Sequence, residues 1–212
     1  MFVEKLLSIA SSSTEVAKSL PLHADAQGRG ETHRELMGML TAKNGFYAFE
    51  GALHVFPWEA SSEDIVDVQA WNGKSLWRDC YQNLTDDLFF FAEDAFGGQF
   101  ALRGNDVVTF EPESGEIEFL ASSIEAWAKE LLSDYEVLTG FPVAHAWQLK
   151  NGQIPQGKRL LPKIPFLLGG VYEDSNLYAV DSVKGMRYRG DLWQQIRDLP
   201  EGAQVKLTAL PT

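Results

Sequence analysis

Carboxylates are the side chains in this sequence that most readily suggest chemistry, and they stand in two groups. Glu93 and Asp94 lie in FFFAEDAFGGQFAL, Phe89 to Leu102, after three phenylalanines and before Gly97-Gly98. Paired acids at a strand end can hold a cation or share acid–base work. Neighbours on an extended chain point to opposite sides, however, so convergence on one ligand needs an irregular backbone. Gly97-Gly98 supplies angles that other residues avoid, which makes a turn the better reading. The second group is Glu111, Glu113, Glu116 and Glu118 in FEPESGEIEF. Glu116 and Glu118 share one strand face and face water, with Ile117 and Phe119 on the other. A glycosidase pair needs two carboxyls across a cleft, which one strand does not supply.

The remaining reactive types are sparse. The four histidines, His23, His33, His54 and His145, are scattered. His33 falls in the first turn of a capped helix and is expected at the surface. His54 lies between apolar residues and reads as a satisfied core histidine. His33-Arg34-Glu35 is half of a deaminase signature, but that chemistry needs paired cysteines and Cys80 stands alone. A single cysteine excludes an intrachain disulfide and a thiolate zinc site. In WRDCYQNL it reads as a small buried apolar group. No G-x-S-x-G elbow, Walker loop or G-x-G-x-x-G motif is present. Gly169-Gly170 reads as a tight turn. Lys184, Arg187 and Arg189 form a basic group that docks on an acidic body or faces solvent. No catalytic residue, metal ligand or cofactor is assigned.

The elements that must position these residues follow from pattern. MFVEKLLSI begins an amphipathic helix rather than a secretory signal, so the expected location is cytoplasmic. Thr32 and Glu35 form a capping box before Leu36, Met39 and Leu40, with Asn44-Gly45 as the stop. GFYAFEGALHVFPW reads as a packed irregular segment with one short strand. Trp77, Tyr81 and Leu84 share a helical face, predicting a helix over 71–84. Leu88 to Ala92 is a strand buried on both faces. Gln99 to Leu102, Val107 to Phe110 and Glu116 to Leu120 continue an antiparallel meander through glycine turns. Ser122 and Glu125 box a strong helix whose apolar face is Ile124, Trp127, Ala128, Leu131 and Leu132. Beyond Gly140 the chain is loop-like at first. It then predicts a strand over 176–180, a short helix capped by Asp191, and a last strand through Val205, Leu207 and Ala209.

Charge divides the chain. The net charge is -12 over 212 residues, but residues 1–140 carry 24 acids against 9 bases, and residues 141–212 carry 6 against 9. An acidic body repels phosphate backbones and attracts basic partners. No apolar run approaches the roughly 20 residues of a membrane helix.

The run DDLFFFAEDAFGGQFAL, followed by VVTFEPESGEIEFLASSIEAWAKELL, resembles the SMI1/KNR4 (SUKH) superfamily. The correspondence rests on Phe91-Ala92-Glu93, Phe96-Gly97, Val108, Gly115-Glu116, Ser122-Ser123 and Glu125-Ala126-Trp127, in order, and spans about Asp86 to Leu132. The N-terminal "L-P" turn of that family is blurred to Ser19-Leu20-Pro21-Leu22, and the tail after Gly140 is extra. The resemblance implies an α+β fold, a mainly antiparallel sheet with helices packed on it. On this reading residues 1–139 form the SMI1/KNR4-like domain, and residues 140–212 form an extension of strands and a short helix on the same body.

The resemblance also implies a non-enzymatic binding module. Bacterial members look like immunity proteins that neutralise a toxin by direct binding, and fungal members like regulators of cell-wall synthesis and signalling. The expected partner is a cognate toxin, for instance a nuclease, or another protein with a basic surface. Expected contacts are exposed acids at the strand turns, Glu93, Asp94, Glu111 and Glu113, with Trp58 as an aromatic anchor or a core residue beside Pro57. A regulatory scaffold is the alternative, and a carboxylate-based hydrolase ranks last.

Overall fold

The structure is a computed structural model that describes residues 1–15, 30–62, 65–200, 203, 205 and 209–211. A six-stranded antiparallel meander forms its centre, in the order β1 (Phe46–Ala48), β2 (Leu53–Val55), β3 (Phe89–Glu93), β4 (Gln99–Arg103), β5 (Asp106–Phe110) and β6 (Ile117–Ala121). Alternation along β3 buries both faces of the sheet. Phe91 meets Trp127 at 5.1 Å between ring centroids, and Phe90 meets Trp77 at 4.9 Å on the opposite face. Trp127 belongs to α4 (Ile124–Thr139), which packs over the first face beside α1 (Phe2–Ile9) and α2 (Glu31–Ala42). The second face is covered by Trp71, Trp77 and Tyr81 and by Trp193 of α6 (Ser182–Ile196). The result is an α+β chain with an open antiparallel sheet and helices packed on it.

The meander over β3–β6 matches its sequence pattern, with one exception on its edge strand. Phe119, expected to pack inward, is 66% exposed. The irregular segment before Pro57 is a hairpin of two short strands, β1 and β2. The edge of β1 is covered: Ser11 donates its backbone N–H to Tyr47 O at 2.8 Å.

Several helix ends differ from local expectation because their partners are distant in sequence. Helix α2 starts after Gly30, and the predicted box of Thr32 and Glu35 is not made. Thr32 Oγ1 instead donates to Asn105 O, and Glu35 accepts the N–H of Ile124, capping α4. His33 is buried against Trp58 and Phe89 rather than exposed. Ser123, not Ser122, caps α4 by accepting the N–H of Ala126, while Glu125 accepts the N–H groups of Phe2 and Val3 and caps α1.

The helix predicted over 71–84 is a single turn, α3 (Val68–Trp71), followed by turns and a 3-10 segment at Arg78–Tyr81. Asn72 stops it. Its amide bonds Val68 O, and the same side chain brackets Phe90, donating to O at 2.7 Å and accepting from N at 2.9 Å. One side chain thus continues the β3 ladder where a strand is missing.

The tail is more regular than its composition suggests. Gly140, with φ +67°, ends α4 and opens α5 (Phe141–Asn151), whose first turn accommodates Pro142. β7 (Lys158–Pro162) pairs with β8 (Leu177–Asp181) in a separate hairpin, its proline confined to the last position. Helix α6 begins at Ser182 under an Asp181 cap, ten residues before the predicted Asp191 cap. Gly190 explains the misreading. A Cβ there would lie 2.4 Å from Cys80 Cβ, so glycine is what lets α6 approach the Arg78–Tyr81 turn. Leu207 of the expected last strand lies outside the described residues, as do Ser19-Leu20-Pro21-Leu22; Val205 and Ala209 are described without strand structure. Among the described residues no helix is long and apolar enough to cross a membrane.

Candidate functional site

Glu93 and Asp94 diverge, as neighbours at a strand end should, and each opens onto a different hollow. Glu93 faces inward and is 1% exposed, so it is not the exposed contact its position beside a turn suggested. Its Oε1 lies 2.9 Å from Arg159 Nε, 3.0 Å from His54 Nδ1 and 3.3 Å from the Ser182 hydroxyl. Arg159 comes from β7, Ser182 from the first turn of α6, and His54 from β2, whose register sets it beside Glu93. Arg159 also donates to Gly51 O at 3.0 Å, and Tyr47 stacks on the His54 ring at 4.3 Å.

Electrostatics keep this cluster in one protonation state. Burial works against ionising Glu93, but the Arg159 charge and the His54 hydrogen bond outweigh it and hold the carboxyl below its usual range. Burial, helped by Arg159, lowers the His54 pKa against the pull of Glu93, so the imidazole is neutral. With Nδ1 facing the carboxylate, the proton sits there and Nε2 carries the lone pair. His54 is therefore the satisfied core histidine expected of it. Among the described residues no hydrogen bond joins Ser182 to His54, so the imidazole does not activate that hydroxyl. Glu93, His54 and Ser182 form part of the wall of a cavity of about 440 Å3.

Asp94 makes the expected turn. Its Oδ1 accepts the N–H groups of Phe96 at 2.7 Å and Gly98 at 2.8 Å, and Gly97 takes φ +83°. Burial, reinforced by the nearby Glu111 charge, raises its pKa to about 7 despite those two bonds. The second hollow, about 330 Å3, lies here and is lined by Asp94, exposed Glu111 and exposed Glu136. Phe96, Phe166 and Tyr172 supply its aromatic wall, with Phe166 and Tyr172 stacked at 3.8 Å. Val137, on the same wall, is 75% exposed and Tyr172 60%. Two expected contacts, Asp94 and Glu111, thus converge on one groove.

Glu113 and Trp58 do not join them. Glu113 is 3% exposed; its Oε2 accepts the Leu167 N–H, its Oε1 lies 4.0 Å from Arg189 Nε, and burial raises its pKa. Trp58 is 3% exposed and belongs to the core. Glu113 is therefore corrected from a surface contact to an internal residue, and of the two readings of Trp58 the core one holds. The basic group of α6 docks on the acidic body at two points. Arg189 is buried beside Glu113 and donates to Phe96 O, and Arg187 reaches Asp79 at 3.6 Å. Cys80 is buried, and burial pushes its thiol up to about 11. Among the described residues no group of three or more His, Cys, Asp or Glu is arranged to hold a metal ion.

Sequence reasoning did not place Glu136, Phe166 and Tyr172 on the groove, or Tyr47, Arg159 and Ser182 around Glu93. One local signal existed. Arg159 stands next to Leu160-Leu161 in the strand KRLLP, and a cation turned inward there with the leucines needs an internal carboxylate.

No protein-family model matches the chain. No curated protein matches it either. Among solved structures it resembles the crystal structure of Atu4351 from Agrobacterium tumefaciens, with a TM-score of 0.62 and 14% identity over 89% of this chain and 88% of that one. At that identity the likeness is one of fold: an α+β chain with an open antiparallel sheet under packed helices.

Proposed function

We propose that this chain is a non-enzymatic protein-binding module of the SMI1/KNR4 type, acting in the cytoplasm as an immunity protein that neutralises a bacterial toxin by covering a basic surface. The observation that carries the reading is the groove at the β3–β4 turn. Its Glu111 and Glu136 carboxylates are exposed, and they flank exposed Val137 and Tyr172. An apolar centre with a polar rim is the usual anatomy of a protein contact surface, and Arg189, which also lines the groove, is buried beside Glu113. Carboxylates there suit a partner that presents lysine or arginine, as nuclease clefts do for phosphate. The ordered motif from Phe91 to Trp127 and the open meander beneath helices support the family part of the reading.

The test uses proteins encoded next to this chain as probes, since an immunity gene sits beside its toxin gene. One neighbour should bind the full chain and lose toxicity on co-expression. Glu111→Lys with Glu136→Lys should weaken that binding at least about tenfold, mostly through slower association, because rim charges steer encounter. Both residues are exposed, so folding should be unchanged. An affinity indifferent to the double reversal would remove the groove from the interface.

A further inference from the structure

We propose that the outer edge of β6 binds an extended segment of a partner protein in which lysine or arginine alternates with apolar residues, taken up as an added strand of the sheet. This is a second contact surface, distinct from the groove, and it does not depend on the toxin reading.

The two ends of the sheet are finished differently. At β1, Ser11 donates its backbone N–H to Tyr47 O at 2.8 Å, and its hydroxyl oxygen accepts the Tyr47 N–H at 3.0 Å, so that edge is occupied. At β6, Glu111 donates its N–H to Glu116 O at 2.9 Å, and Glu118 stands opposite Thr109. Successive residues of an antiparallel ladder turn their backbone groups to alternate sides. Glu116 O and the Glu118 backbone therefore face β5, whereas Ile117 and Phe119 direct their N–H and C=O groups away from the sheet. Among the described residues no hydrogen bond reaches those outward groups. Such a row is a template for another strand.

The side chains select the occupant. Glu116 and Glu118 are exposed on one face of the strand, and Phe119, 66% exposed, stands on the other beside half-buried Ile117. A second copy of this chain fits poorly. Pairing β6 antiparallel on itself with Glu118 at the centre sets that carboxylate opposite its own copy, and like charges directly opposite are destabilising. Centring on Phe119 instead runs into the irregularity at Leu120, the residue skipped between the Phe119 and Ala121 pairings with β5. The net charge of -12 adds repulsion between copies. A strand with basic side chains opposite Glu116 and Glu118, and apolar ones opposite Ile117 and Phe119, turns the repulsion into attraction and covers the exposed ring. Main-chain bonds then supply affinity, and the alternation supplies specificity.

The experiment titrates the full chain with the blocked peptide Lys-Val-Lys-Val-Lys-Val-Lys, by calorimetry and amide NMR, at about 0.15 M salt, where exposed charges more than about 8 Å apart are largely screened. Two controls keep its length: the same peptide N-methylated on each valine, and Glu-Val-Glu-Val-Glu-Val-Glu. The lysine peptide should bind with a Kd of about 1 mM or tighter and shift the Ile117 and Phe119 amide signals. Its N-methylated form carries the same charge but loses the valine donors, and should bind at least about tenfold more weakly. The glutamate peptide should not bind. Glu118→Lys, at an exposed site, should cost about fivefold, because attraction across the strands becomes repulsion. Glu59→Lys makes the same change of charge at an exposed site beyond β2, and should leave the affinity within about twofold. Sedimentation should find the chain monomeric. No binding by the lysine peptide, equal binding by its N-methylated form, binding by the glutamate peptide, shifts that miss Ile117 and Phe119, or Glu59→Lys as damaging as Glu118→Lys would each overturn the proposal. So would a dimer of the chain that protects those two amides, which assigns the edge to a second copy.

Discussion

Replacing Arg159 with methionine keeps most of its volume and removes the only full positive charge that touches Glu93 among the described residues. Both partners are nearly sealed, at 3% and 1% side-chain exposure, so solvent does not screen the change. Losing one member of such a pair costs about 3–5 kcal/mol, because the survivor is left charged in a medium that cannot hydrate it. For a chain of this size that corresponds to a melting temperature lower by about 6–20 °C.

The loss should depend on pH in a defined direction. In the natural chain the folded Glu93 pKa lies below its unfolded value near 4.3. Its contribution is therefore present above that value and lost as pH falls through the folded pKa. Without Arg159, burial dominates and the folded pKa rises above the unfolded one, so the variant loses stability as pH rises past about 4.3. The difference between the two proteins should be largest near pH 7 and shrink toward pH 4.5. Urea unfolding at several pH values measures it, and the Glu93→Gln/Arg159→Met double variant should recover part of the loss. A difference that is constant with pH, or a double variant as unstable as the sum of the single ones, would refute the reasoning.

Two further outcomes are expected. Asp94 has a folded pKa of about 7, above the unfolded value near 3.9, so the fold should lose of the order of 2–4 kcal/mol as pH rises from about 4 to about 7. Asp94→Asn keeps the acceptor for Phe96 and Gly98 and should flatten that slope, and the Gly98 amide signal should titrate with a midpoint near 7 in the natural chain only. Gly190→Ala places a methyl group 2.4 Å from Cys80 Cβ. It should cost about 1–3 kcal/mol in urea unfolding, the range for overpacking a tight contact.

Local pattern decided the parts of this fold whose partners are local. The strands from β3 to β6 are joined by tight turns, so alternation and the glycines at 97, 104 and 115 were enough to place them. The capping boxes failed for the opposite reason. Glu35 and Glu125 have the right spacing, yet each serves a different helix, 89 and 122–123 residues away. A carboxylate satisfies whichever orphan N–H the packing brings near, and sequence spacing cannot register that competition. Asn72 likewise looks like a weak point in a helix, whereas its amide completes a strand edge. Glu93 was misplaced for the same physical reason. Exposure is the default for an acid beside a turn, and the cation that reverses it enters from 66 residues downstream.

The uneven charge of the chain has a structural counterpart in these pairings. Two of the nine bases beyond residue 140, Arg159 and Arg189, are buried beside Glu93 and Glu113. Those acids would be costly inside without a nearby cation. The tail therefore neutralises the carboxylates that the sheet turns inward, while Glu111 and Glu136 remain outside with their charge exposed. Glu93 and Asp94 mark the division. One residue step at the end of β3 separates an interior acid held by arginine from an acid that folds a turn and lines the groove. Adjacent carboxylates on an extended strand cannot serve one centre, and in this chain they organise two.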